Sequence, residues 1–222
     1  MKVSIVVPVY NGADTLAETL WSAKSQTYKD KEIIVVDDGS TDSSLLMAKL
    51  CYDPPVTDVI HQTNQGLPSA RNTGIKAATG DLILPLDADD KIAPDYLEKT
   101  VPLMTAGVGV VSTDMIYFGT HDMRIRPLHT TLEQAMHFNG IPVCSLIRRE
   151  ALEQAEGYNL AMTEGCEDWE LWIDILKHGW KIAVLNEPLF FYRRKSVSMV
   201  SKMDRNKMIQ VIRSLHPELS WS

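Results

Sequence analysis

Apolar residues in this chain gather in short runs, several of which end on carboxylates. Val3 to Val9 is a continuous, mostly β-branched run, the pattern of a strand covered on both faces. Pro8 sits near its end, where a missing ladder donor is tolerable. Asn11-Gly12-Ala13-Asp14 reads as a loop and cap, after which Ala13, Leu16, Leu20 and Ala23 recur at helical spacing. Glu32 to Val36 is a second covered strand, followed by Asp37 and Asp38; Gly39-Ser40-Thr41-Asp42 then caps a helix holding Leu45, Leu46, Ala48 and Leu50. Val56 to His61 reads as a third, shorter strand. Beyond the turn at Asn64-Gln65-Gly66, a helix from about Leu67 to Ala78 aims Leu67, Ala70, Ile75 and Ala78 at a core, with Arg71 and Asn72 on its polar side. Gly80 ends that helix, and Leu82 to Leu86 forms a fourth strand that stops at Asp87, Asp89 and Asp90. Pro85 lies inside this last run, which implies an edge, a bulge or a shorter strand.

Strand and helix alternate through this half, which predicts an α/β fold with parallel strands and helices on both faces. Ligands of such sheets bind beyond the carboxyl ends of the strands. Tyr10, Asp38 and Asp89 all follow strands and are expected to meet in one pocket.

The second half is less regular. Asp95 to Met104 is expected to be helical, and Gly107 to Phe118 to be a strand running out into a hairpin. Residues 119–142 read as a loop and short helix covering a site; they hold His121, His129 and His137 without metal-like spacing. A short strand, Val143 to Ile147, and a short helix, Arg149 to Ala155, come next. Trp169, Trp172, Ile173 and Leu176 then mark an amphipathic helix that stops at Gly179. Glu167 and Asp168 stand at its N-terminus, facing away from most of the apolar stripe. The two tryptophans are expected in the core, with a place in an acceptor site as the alternative. Lys181 to Leu185 and Leu189 to Tyr192 are read as closing strands, and about Lys202 to Leu215 as a C-terminal helix.

Composition narrows the classes. The chain has 222 residues, 45% hydrophobic and 23% charged, which suits a soluble protein of one large domain, or a domain with a small appendage, with a core of its own. Its net charge of −7 argues against bulk attraction to nucleic acid. Cys51, Cys144 and Cys166 are odd in number and widely spaced, so neither a disulfide framework nor a zinc site is indicated and a reducing compartment is expected. The N-terminal run is too short for a signal peptide, and no run approaches the roughly 18 apolar residues of a membrane span. A cytoplasmic protein is expected.

The carboxylates have candidate chemistry. Alternation along an extended chain would put Asp87 and Asp89 on one side and turn Asp90 away. Like charges that close are costly unless a cation offsets them, and hard oxygen ligands suit Mg²⁺ or Mn²⁺. The bland alternatives are turn chemistry for the Asp residues and helix-dipole acids for Glu167 and Asp168. No Gly-x-Gly-x-x-Gly follows the first strand, which disfavours a dinucleotide-dependent oxidoreductase. Asp87-Ala88-Asp89 is followed by Asp90-Lys91-Ile92 in mid-chain, unlike an aspartyl phosphotransferase.

Six blocks in register resemble the family 2 glycosyltransferases: Val3 to Asn11, Val35 to Asp42, Gln65 to Gly74, Asp87 to Asp90, Glu167 to Trp172 and Pro188 to Arg194. The resemblance implies a GT-A fold, a single-domain sandwich over residues 1–222. A mainly parallel, Rossmann-like nucleotide half (about 1–105) would lead into a smaller mixed acceptor half (about 106–200) and a C-terminal helix (201–222). The implied reaction is metal-dependent, inverting transfer from a nucleoside-diphosphate sugar, a UDP-sugar first, to a hydroxyl of a glycan or lipid-linked saccharide. The alternative is a non-catalytic sugar-nucleotide-binding module on the same fold.

Position by position, the resemblance makes Asp168 the general base and Asp38 an acceptor from the base, usually uracil. Pro8, Val9, Tyr10 and Gly66 would line the nucleotide site, Arg71 would help hold the nucleotide, and Asp87 would lie near the ribose or the metal. Asp89 would ligate Mg²⁺ or Mn²⁺. Asp90, Glu167, Arg194 and Lys195 take supporting places; the basic end Arg193 to Lys195 reads equally as solvated or as reaching the diphosphate. One departure stands out: several family members carry His shortly after the closing Tyr-Arg, and Lys195 stands there instead, unable to ligate while protonated. The implied setting is the cytoplasm, with peripheral association at the inner face of a membrane as a further expectation.

Overall fold

The computed structural model describes residues 1–119, 122–128, 130–195 and 204–221. His121 and His129, discussed above, lie outside the described residues, as does Lys202.

Four parallel strands form the first half: β1 (Val3–Val9), β2 (Lys31–Asp38), β3 (Val56–Gln62) and β4 (Leu82–Pro85). Between them run α1 (Ala13–Lys24), α2 (Ser44–Leu50) and α3 (Leu67–Ala77). The expected alternation is present, with β3 as an edge. β4 stops at Pro85, one residue short of the apolar run. Leu82 donates to the Lys2 carbonyl, just before β1, and Leu86 to the Val6 carbonyl, so by alternation the missing donor of Pro85 falls on the opposite side. There a later strand, β8 (Leu146–Arg148), pairs only with Leu82 and Ile83, so no ladder bond is lost.

A two-residue β5 (Lys91–Ile92) follows, then α4 (Tyr96–Thr100) and a 3₁₀ turn (Val101–Leu103), which shortens the helix expected over 95–104. The second half contains β6 (Val108–Gly119), β7 (Met123–Ile125), α5 (Leu132–Ala135), β8 (Leu146–Arg148), α6 (Arg149–Gln154), α7 (Glu167–Lys177), β9 (Lys181–Arg194) and α8 (Arg205–Leu215). β6 and β7 form the expected hairpin. β8 begins later than expected. The two closing strands are one long β9, whose register against β6 slips where Thr113 pairs Leu185 and Asp114 pairs Pro188. The intervening Asn186 and Glu187 are accommodated as a bulge, so the apolar pattern breaks while the strand continues.

The described strands make one nine-stranded sheet in the order β3-β2-β1-β4-β8-β6-β9-β5, with β7 on β6. The antiparallel β8 joins the parallel half to β6 and β9, which run parallel to each other. Alternate residues of β1 sort to opposite faces. Ile5, Val7 and Val9 pack with Leu16 and Leu20 of α1 and with Tyr96 and Leu97 of α4. Val6 packs with Ala70 of α3, Trp169 and Trp172 of α7, and Met208 and Ile212 of α8. Both tryptophans are core residues. Their indole N–H groups donate to the Ala135 and Ile141 carbonyls, tying down the 130–143 segment.

Gly74 determines how closely α3 lies on the sheet, since a Cβ there would sit 2.4 Å from Val6 Cγ1. That approach puts the first turns of α3 over the carboxyl ends of β1 and β2, and Arg71 with them. Arg71 is therefore not on a solvated face of its helix as the spacing suggests; it is 1% exposed.

Candidate functional site

A cleft of about 910 Å³ opens at the carboxyl ends of β1, β2 and β4. Pro8, Val9, Tyr10, Asp38, Gly66, Arg71, Asp87 and Asp89 line it from the parallel half. Glu167 and Asp168, the 138–143 segment, and Tyr192 to Lys195 line it from the other half. Of the residues to which the resemblance gives a place in the site, Asp90 alone lies outside this lining; Trp169 and Trp172 lie outside it too, in the core.

Asp38 ends β2 with its carboxylate nearly enclosed. Oδ1 accepts from Gln62 Nε2 (2.7 Å) and Gln65 N (2.9 Å), and Oδ2 accepts from Gly66 N (2.9 Å). A carboxylate offers about four lone-pair sites, so these bonds leave about one for a ligand. The turn after it needs Gly39, at φ +72°, because a Cβ there would meet the Asn64 backbone nitrogen at 2.7 Å. Tyr10, just past the end of the neighbouring β1, is 54% exposed and open to stacking.

The Asp87–Asp90 segment is a turn rather than a strand extension, closed by Asp90 N–H donating to the Asp87 carbonyl (3.0 Å). Asp87 and Asp89 face the cleft as alternation suggested, though the turn achieves this. Asp90 is buried: Oδ1 accepts from Arg193 N (2.8 Å), and its carbonyl accepts from Thr19 Oγ1 (2.8 Å). Burial, followed by the charges of Asp89 and Asp87, pushes its carboxyl well above the usual range. Asp90 anchors the turn to β9.

Arg71 is held inside the protein through its two terminal nitrogens, while its buried Nε has no hydrogen-bond partner among the described residues. Nη2 donates to Asp87 Oδ1 (2.7 Å) and Nη1 to Glu167 Oε1 (2.5 Å), and the guanidinium lies 5.1 Å from the centroid of the buried Tyr158 ring. Burial alone would make the guanidinium easier to deprotonate; Asp87 and Glu167 more than reverse this. Asn72, the next residue, accepts from Tyr158 N and donates to Tyr158 O, which holds that ring in place.

Asp168 is the second residue of α7, after Glu167. Asn139 Nδ2 donates to both of its carboxylate oxygens at 3.1 Å, and Trp169 N donates to Oδ1 at 2.8 Å. Burial and then the charge of Glu167 push its carboxyl up to about 7, against the opposing pull of Asn139, Arg71 and Trp169 N–H. A carboxylate poised near neutrality suits proton abstraction. Asn139 was not singled out from sequence. It lies in the irregular loop held by the two indole N–H bonds, and no spacing signal points to it.

At the end of β9, Arg193 is committed to structure. It donates through Nε to the Asp89 carbonyl (2.8 Å), pairs with Glu18, and stacks 4.4 Å from the Phe118 centroid. Arg194 stacks on Tyr117 at 5.1 Å. Lys195 Nζ pairs with Asp89 Oδ2 at 2.7 Å.

No trio of His, Cys, Asp or Glu among the described residues is arranged to hold a metal ion. Asp87 is already held by Arg71, which leaves Asp89 as the hard-oxygen ligand facing the cleft. This donor set fits a divalent cation that receives its other ligands from a bound diphosphate and water, not a protein cage.

A family model described as Glycosyl transferase family 2 matches residues 4–156. "Putative glycosyltransferase EpsE" of Bacillus subtilis is 34% identical over 205 residues, which is 88% of this chain and 74% of that protein. "Uncharacterized glycosyltransferase YibD" of Escherichia coli is 40% identical over 103 residues, covering 46% of this chain and 30% of that protein. Among solved structures, S. aureus TarS 1-349 in complex with UDP-GlcNAc superposes with a TM-score of 0.81 at 22% identity, covering 97% of this chain and 65% of that one. The mannosyltransferase PcManGT from Pyrobaculum calidifontis, in complex with GDP-Man and Mn²⁺, superposes at 0.78 and 22% identity, covering 99% of this chain and 65% of that one. The fold is that of these GT-A enzymes, and the chain spans less than two thirds of several of the proteins it matches. With the family model covering most of its length, the chain belongs to glycosyl transferase family 2.

Proposed function

We propose that this chain transfers a sugar from a nucleoside-diphosphate sugar of the UDP class to a hydroxyl of a glycan or lipid-linked saccharide, inverting the anomeric centre. The observation that carries this reading is one cleft lined both by Asp38, Asp87 and Asp89 at strand ends and by Asp168 at a helix N-terminus.

Asp38 orders the 62–66 turn and has a remaining lone pair to accept from the base. Tyr10 stacks against the base, with Pro8, Val9 and Gly66 completing that wall. Asp87, oriented by Arg71, lies toward the ribose. Arg71 acts here as a positioning residue, because it is buried and its terminal nitrogens hold Asp87 and Glu167 in place. Asp89 would hold Mg²⁺ or Mn²⁺. When bound, such a cation neutralises charge that grows on the leaving nucleoside diphosphate, an effect of several kcal/mol. Arg194 and Lys195 stand at the same end of the cleft. Asp168 removes the proton from the attacking hydroxyl, a contribution of about 10²–10⁴-fold, and Glu167 supports it by holding Arg71. A double displacement would instead need a carboxylate placed to bond the sugar; Asp168 is assigned to the acceptor. Met115, Tyr117, Ile125, Leu128 and Phe138 give the acceptor side an apolar lining suited to sugar faces or a lipid-linked substrate. No helix among the described residues is long and apolar enough to cross a membrane.

The test is a panel of nucleotide sugars with Mn²⁺, scored by thermal shift and by slow donor hydrolysis. Stabilisation by UDP over GDP, lost in Asp38→Ala, is the expected result. No response to any nucleotide sugar would overturn the assignment. Donor binding without transfer or hydrolysis would favour the non-catalytic module.

A further inference from the structure

Three carboxylates crowd the turn after β4, and two of them have fixed partners. Asp87 is held by the buried Arg71 guanidinium, and Asp90 is buried against Arg193 N. The Asp89 backbone is fixed as well, by Arg193 Nε on its carbonyl. Its carboxylate is different: it faces the cleft, 31% exposed, and pairs with the Lys195 ammonium, which is itself 49% exposed. The loop and the end of β9 are thus clamped together through Arg193, while the Asp89–Lys195 ion pair between them is open to solvent.

Such a pair is weak. Two half-exposed charges contribute on the order of 0–1 kcal/mol, and the ammonium sits on a flexible stem with freely rotating donors. Asp89 Oδ2 cannot serve a divalent cation well while an ammonium lies 2.7 Å away, since the two cations would repel. A diphosphate offers that ammonium a more highly charged acceptor than one carboxylate does.

Resting on the functional reading above, we propose that Lys195 and a divalent cation compete for Asp89, and that the donor diphosphate resolves the competition by taking over the ammonium. In the nucleotide-free protein Lys195 neutralises Asp89 and keeps metal affinity low. When the diphosphate enters, Lys195 exchanges one anion for another and Asp89 is released to the cation that arrives with the nucleotide. Metal and nucleotide then bind with positive coupling, and Lys195 contributes charge to the leaving group.

The experiment compares wild type with Lys195→Met, which keeps the stem and removes the charge, and with Lys195→Arg. Two constants are measured on the whole chain: Mn²⁺ alone by electron paramagnetic resonance, and UDP or GDP with EDTA by calorimetry. Lys195→Met is expected to bind Mn²⁺ about 3–10-fold more tightly and the nucleotide about 3–10-fold more weakly, with Lys195→Arg close to wild type on both. A purely structural role would not move the two constants in opposite directions. If both stay unchanged or shift together while wild type still binds nucleotide with Mn²⁺, the exchange is wrong and the functional reading stands. If wild type binds neither UDP nor GDP with Mn²⁺ present, both fall.

Discussion

Arg71 and Glu167, 96 residues apart in sequence, form a buried ion pair of 2.5 Å beneath the cleft. The other end of the same guanidinium holds Asp87. One residue of α3 therefore links the Asp turn after β4 to the first residue of α7, next to the proposed base.

Removing that link leaves two carboxylates without their cation, one of them buried. Arg71→Met should cost about 3–5 kcal/mol in urea unfolding, near the lower figure because Asp87 reaches solvent. Arg71→Lys keeps the charge but not the fork, so it should fall between the variant and wild type. A loss below about 1 kcal/mol for Arg71→Met would mean the pair does not organise the site.

Asp168→Asn should leave donor binding intact and lower kcat by about 10²–10⁴-fold. Wild-type transfer should rise with pH and level off above about 7, where the Asp168 carboxylate is formed. Asn139→Ala removes two hydrogen bonds that favour the charged form, so the rising limb should move to higher pH. A profile unchanged by Asn139→Ala would separate that limb from Asp168.

The same carboxyl affects stability with a definite sign. Its folded value is raised from 3.8 to about 7, so the folded state holds the proton more tightly than the unfolded chain does. This contribution is full below about pH 4 and is lost as pH rises toward 7. Asp168→Asn should therefore be more stable than wild type at pH 8, with less of a gain at pH 4, as read from urea midpoints at the two pH values.

Glu32 behaves in the opposite sense. Burial would raise its carboxyl, but hydrogen bonds from Lys2, Ser4 and Thr79 prevail and hold it down at about 2. The stability it contributes is present above about pH 4.5 and is lost as pH falls toward 2. Glu32→Gln should cost about 2–3 kcal/mol at pH 7 and flatten the acid limb of the stability curve. An acid limb identical to wild type would refute this.

Gly74→Ala should destabilise by about 1–3 kcal/mol through overpacking, since the new methyl would meet Val6 Cγ1 at 2.4 Å. Val6→Ala in the same background should recover part of the loss, a coupling that a double-mutant cycle measures.

Much was legible in the chain because strands and helices have fixed periods. Runs such as Val3 to Val9 and the i, i+3, i+4, i+7 stripe of Trp169 to Leu176 located β1 and α7, and the strand–helix alternation implied parallel strands with their open ends on one side. The carboxylates at those ends, and the six blocks that resemble family 2, were also visible without coordinates. What a period cannot encode is partnership between distant side chains. Arg71 reads as a surface residue by helical spacing, yet the close approach at Gly74 buries it between Asp87 and Glu167. Asn139 sits in a loop with no periodicity, placed by indole N–H bonds from two core tryptophans. The broken apolar pattern at Asn186 and Glu187 divides one strand into two on paper, because a bulge adds residues without ending the ladder. Local pattern thus determined the elements and the carboxylate inventory. Tertiary packing alone decided which charges meet, since desolvation and pairing depend on what the other elements bring within a few ångströms.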